Sequence, residues 1–161
     1  DLSRFKTLDV LPSMQPTHAT SDMNMAENRV GHARIKGAYA WRTLLDDGVR
    51  VVSGSDFPIE YANPFYGLHA AVTRQNRQSQ PPLGWLSHES MTLSQALNSF
   101  TLDAAYGAHQ DAVLGTLEPG KWADFIVIDK NIFKAPMSQI WQPKVLGTWV
   151  AGKKVYSATE K

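Results

Sequence analysis

The sequence predicts an α/β protein, and three features predict it. Two short runs, residues 10–15 and 49–53, read as buried strands, and each ends in turn-prone residues. Between them, residues 29–47 place apolar side chains at helical spacing, and Gly48 follows at once as a helix stop. The connections are tight, so the strand–helix–strand succession reads as parallel β/α architecture. Parallel sheets carry their functional loops at the carboxyl ends of the strands. His18 and Asp56 stand just past two such ends.

The elements follow in order. Residues 10–15 give way to Pro16-Thr17-His18, read as a strand ending in a loop, and Ser21-Asp22-Met23-Asn24 is a polar turn. The helix over 29–47 rests on Ile35, Ala38, Tyr39, Trp41, Leu44 and Leu45. After the strand at 49–53, Gly54-Ser55-Asp56-Phe57-Pro58 breaks the pattern. A helix is expected over 64–78, with Pro64 tolerated in its first turn. Thr92 and Gln95 form a capping signal for a helix running to about residue 106. Beyond Leu114 the character changes. A tight turn at Pro119-Gly120 precedes strands at 123–129 and 145–150, and 151–156 reads as a turn with its returning strand. The chain therefore divides into a β/α part, 1–112, and a β-rich part, 113–161.

With 161 residues, 43% of them hydrophobic and 19% charged, the chain can bury a sizeable core and is not disordered. A net charge of +1 gives no reason to expect nucleic acid or an anionic membrane as a partner. No apolar run approaches the roughly 20 residues that span a bilayer. There is no cysteine, hence no disulfide and no thiolate metal site. That composition suits a reducing cytosol but leaves the compartment open. The chain starts at Asp1, without an initiator Met, and is expected to begin after processing, after cleavage or at an imposed boundary.

Read without further context, Asp56 after Gly54-Ser55 is either a turn or cap residue or an acid at the mouth of the sheet. His18 either contacts a substrate carbonyl or developing oxyanion, or is a loop histidine bonded to backbone. Asp22 reads first as a turn acid, and second as a residue of the same mouth. His32, His69, His88 and His109 form no His-x-His or His-x-x-x-His pair, and zinc requires three or four ligands. Trp41, Trp85, Trp122, Trp141 and Trp149 are spread over different elements, as packing residues are. Two β/α units also fit an open flavodoxin-like sheet, and this alternative stands on the pattern alone.

Three stretches carry a family likeness: Ser13-Met14-Gln15-Pro16-Thr17-His18 with Ser21-Asp22-Met23, Gly54-Ser55-Asp56-Phe57-Pro58-Ile59-Glu60, and Gly115-Thr116-Leu117-Glu118-Pro119-Gly120-Lys121-Trp122-Ala123-Asp124. In order and spacing they resemble the C-terminal part of the amidohydrolase superfamily, in the amidohydrolase-3, YtcJ-like branch that includes N-substituted formamide deformylase. The resemblance implies the C-terminal portion of a (β/α)8 TIM barrel plus strands of a small β-sandwich. Residues 10–15 and 49–53 would then be barrel strands seven and eight, with strands one to six before residue 1. It implies hydrolysis of an amide-like C–N bond in a small molecule by metal-activated water. Asp56 would be a ligand of a divalent metal, zinc foremost, and the acceptor of the water's proton. His18 would be the substrate-contacting catalytic group and matches no usual metal position. The His-x-His of strand one, the bridging lysine or acid, and the histidines of strands five and six have no counterpart here. The alternative implied by that gap is a catalytically silent folded fragment or oligomerisation module without bound metal. Its open strand edge would be covered by self-association or by a companion N-terminal segment.

Overall fold

A computed structural model describes residues 1–158, so the last three residues of the predicted β-rich part lie outside it. The first part contains α1 (Arg4–Thr7), β1 (Ser13–Met14), α2 (Pro16–Asp22), α3 (Ala26–Val30), α4 (His32–Ile35), α5 (Trp41–Asp46) and β2 (Val52–Ser53). It continues with α6 (Pro64–Thr73), α7 (Leu93–Phe100) and α8 (Leu102–Gly107). The second part contains β3 (Phe125–Ile128), β4 (Val145–Val150) and β5 (Lys153–Ser157). The molecule is thus α/β, with two small sheets.

β1 and β2 pair in parallel, Ser13 opposite Val52 and Met14 opposite Ser53, as the strand–helix–strand succession requires. Both strands are shorter than the runs at 10–15 and 49–53. Pro12 and Pro16 flank β1 and carry no N–H, which limits the ladder. Single bonds prolong it at either end, from Val52 N to Pro12 O at 3.0 Å and from Gly54 N to Met14 O at 3.1 Å. The helix predicted over 29–47 is three short helices. Gly31, at φ 83°, separates α3 from α4, and Tyr39, at φ 53°, lies between α4 and α5. The helix predicted to residue 78 ends at Thr73, where Arg74 turns left-handed. The helix from the Thr92 cap breaks at Thr101 into α7 and α8.

Local chemistry explains the longer helices. Asn63 Oδ1 accepts the Phe65 N–H at 3.0 Å, and Pro64 occupies the first turn of α6. Thr92 and Gln95 close the full capping box of α7, with Thr92 N–H donating to Gln95 Oε1 at 3.0 Å and Gln95 N–H donating to Thr92 Oγ1 at 3.2 Å. α6 packs directly on α7. A Cβ at Gly67 would lie 2.4 Å from Phe100 Cζ, so any side chain there would displace the Phe100 ring. One core unites Ala19, Trp41, Leu44, Val51, Phe65, Leu68, Ala71 and Ala96. Ile132 and Ile140, from the second part, reach into it.

The second sheet is an antiparallel meander in the order β3–β4–β5. Ala151 and Gly152, both at positive φ, turn β4 into β5. Asp124 Oδ1 accepts the Ala151 N–H at 2.6 Å and fixes that turn to the start of β3. The third sequence stretch therefore ends in a structural acid. Phe125 and Trp149 stack across β3 and β4 with ring centres 4.7 Å apart.

Candidate active site

Parallel pairing sets the carboxyl ends of β1 and β2 side by side. Pro16 then starts α2 directly, its fixed φ suiting a first helical position. His18 consequently sits in the first turn of a helix, not in the loop expected from sequence. From the other strand the chain runs through Gly54 and Ser55 into Asp56, which adopts φ 56°. A left-handed aspartate is uncommon and costs energy, and such residues concentrate at functional sites. The turn is held by the Ile59 N–H donating to Asp56 O at 2.8 Å and the Phe57 N–H donating to Ser55 Oγ at 3.3 Å.

The two predicted site residues meet. His18 Nε2 lies 3.9 Å from Asp56 Oδ2, with the imidazole 23% exposed and the carboxylate 57% exposed. That distance exceeds a hydrogen bond. His18 Nε2 is itself shielded from solvent and has no hydrogen-bond partner among the described residues. Ser21 Oγ, one turn further along α2, donates to Glu60 Oε1 at 2.5 Å and ties the helix to the Asp56 loop. Phe57, Ile59 and Tyr61, which follow Asp56 in the chain, are exposed.

Asp22 is not part of this mouth. Its Oδ2 accepts a hydrogen bond from the Tyr39 hydroxyl. Burial, reinforced by that bond and by the Asp22 charge, pushes the Tyr39 phenol well above its usual range. Behind Tyr39 lies a residue that sequence reasoning missed. Arg74 is fully buried, with its guanidinium 4.2 Å from the Trp41 ring and 5.3 Å from that of Trp85. Only the tryptophans hint at it in the sequence, and there they read as ordinary packing.

The remaining histidines lie elsewhere. His69, on α6, is 1% exposed, and burial, helped by Arg77, pushes its pKa down to about 4. His32 pairs with Glu27 at 2.9 Å on the surface. His88 lies 3.9 Å from Glu89, whose carboxylate is occupied by the Thr43 N–H at 2.9 Å and the Thr43 hydroxyl at 2.5 Å. Among the described residues no group of three or more His, Asp or Glu side chains converges as a metal site would require. The half-open Asp56 carboxylate is a single oxygen donor, and the described residues do not complete a coordination shell around it. Nor, among these residues, is any helix long and apolar enough to cross a membrane.

The chain as a whole is similar to known proteins. The putative amidohydrolase YtcJ of Bacillus subtilis is 28% identical over 155 residues, 96% of this chain and 29% of that protein. N-substituted formamide deformylase of Arthrobacter pascens is 30% identical over 118 residues, 73% of this chain and 21% of that enzyme. The crystal structure of an uncharacterized metal-dependent hydrolase from Pyrococcus furiosus superposes with a TM-score of 0.63 at 32% identity, covering 74% of this chain and 23% of the other. The chain thus spans less than a third of the length of each. A family model, described as the amidohydrolase family, matches residues 1–156. The chain belongs to the amidohydrolase family, in its amidohydrolase-3, YtcJ-like branch.

Proposed function

We propose that this chain supplies the strand-end acid and a substrate-facing histidine of a metal-dependent hydrolase that cleaves an amide-like C–N bond in a small molecule. The observation that carries the reading is the meeting of His18 Nε2 and Asp56 Oδ2 at 3.9 Å, across the ends of two parallel strands. In this reading β1 and β2 are barrel strands seven and eight, and the sheet within 113–161 belongs to a composite β-sandwich. A divalent metal, zinc foremost, would make water acidic enough to act as hydroxide near neutral pH. The half-open Asp56 carboxylate takes the water's proton and returns it to the leaving nitrogen. The shielded His18 Nε2, in the tautomer that carries its N–H, donates toward the carbonyl oxygen as negative charge builds there. The amide-cleaving relative from Arthrobacter pascens and the metal-dependent hydrolase from Pyrococcus furiosus support the reaction class.

The test is Asp56→Asn in the metal-loaded full-length protein, assayed on N-substituted formamides and amides that the wild type hydrolyses. Loss of the proton acceptor is expected to lower kcat by about 10²-fold or more. Unchanged kcat would overturn the assignment.

A further inference from the structure

The short helix α2 carries His18, yet its own sequence holds it weakly. It has no side-chain N-cap and no acid in its first turn. Its far end is anchored instead by two side chains: Ser21 donates to Glu60, and Asp22, the last helical residue, accepts the Tyr39 hydroxyl. Tyr39 is left-handed at φ 53°, and this conformation turns its backbone carbonyl into the core. That carbonyl accepts from Arg74 Nη1 at 3.0 Å. Arg74 in turn donates from Nε to Trp85 O at 2.8 Å and lies over the Trp41 ring. The Tyr39 ring meets Trp85 and Trp41 edge-on, with centres 5.6 and 6.4 Å away. Tyr39 therefore joins a rigid cationic and aromatic core on one side to the histidine-bearing helix on the other.

We propose that Tyr39 and Asp22 are positioning residues for His18: their hydrogen bond fixes the rotation and tilt of α2 that hold the imidazole against Asp56. The inference rests on reading His18 and Asp56 as the reactive pair. Tyr39 and Asp22 act through the helix and not on Asp56 directly, and the bond that matters is hydroxyl to acceptor oxygen. Charge on Asp22 is dispensable so long as the acceptor remains.

Histidine modification by diethylpyrocarbonate, read residue by residue by mass spectrometry on the full-length protein at neutral pH, tests this without an activity assay. Exposed His32 should react fast, His18 slowly, and buried His69 should stay silent. Tyr39→Phe is expected to raise the His18 rate severalfold while His69 remains silent. Asp22→Leu removes the same bond from a half-buried position and should do the same if Tyr39→Phe folds poorly. Asp22→Asn keeps an acceptor and should restore the wild-type His18 rate. An unchanged His18 rate in Tyr39→Phe and Asp22→Leu would overturn the proposal. So would a parallel rise at His69, which marks general loosening, or an Asp22→Asn protein that labels like Tyr39→Phe. Because the readout is exposure and not turnover, its failure is separable from a failure of the Asp56→Asn test.

Discussion

The two parts of the molecule bury themselves very differently. The α/β part has its own interior, and α6 alone buries Phe65, Gly67, Leu68, His69, Ala70 and Ala71. The antiparallel sheet has almost none. All five residues of β5 are exposed, and β4 buries only Gly147. Ile126, Val127, Leu146, Val150, Val155 and Tyr156 leave apolar surface uncovered on that sheet. A half-buried antiparallel sheet normally packs one face. The first part carries most of the buried core, with Ile132 and Ile140 added from the second, whereas the sheet itself leaves much of its apolar surface open.

Three perturbations bear on this contrast. The largest effect is expected at Trp41, fully buried in the core and stacked with Arg74. Trp41→Ala should cost about 3–5 kcal/mol and lower Tm accordingly. A cost near zero would mean that the α/β part does not hold itself together.

His69 comes next. The folded state keeps this imidazole neutral down to about pH 4, because burial penalises its charged form. The unfolded chain takes up the proton near pH 6.5. The stabilisation is therefore complete above about pH 6.5 and is lost as pH falls toward about 4, with a ceiling of about 3 kcal/mol. Denaturant titrations across that window should show the slope, and His69→Leu should flatten it. Equal slopes in both proteins would place the acid sensitivity elsewhere.

The smallest effect is expected on the exposed sheet. Val155→Thr should change unfolding free energy by no more than about 0.5 kcal/mol. If a second copy or a companion segment covers this sheet, the same change should weaken association in light scattering. A wild-type protein that is monodisperse and monomeric without any companion would count against such a cover.

The sequence made the parallel order legible because glycine and proline punctuate it sharply. Gly48 ends one element, and Gly54-Ser55-Asp56 ends another. The same punctuation misleads at Pro16, which reads as a loop yet begins a helix, since proline suits both positions. The break at Tyr39 was not legible, because Tyr39 satisfies helical spacing and its carbonyl is held by the distant Arg74. Asp56 and His18 could be chosen from strand-end position and family likeness, and the structure brings them together. Arg74 could not be chosen. Its importance comes from Tyr39 and Trp41 in one segment and Trp85 in another, which converge on it.

The two-residue parallel ladder has a consequence for how this chain tolerates insertions and deletions. Its register sets Met14 opposite Ser53, and only short tracts separate His18 and Asp56 from those two residues. An extra residue between Pro16 and His18 would rotate the imidazole by about 100° around α2, away from the carboxylate. An extra residue near Gly31 changes only the length of a connection between two short helices. Length is therefore rationed tightly within a few residues of the strand ends and loosely across the excursion between them.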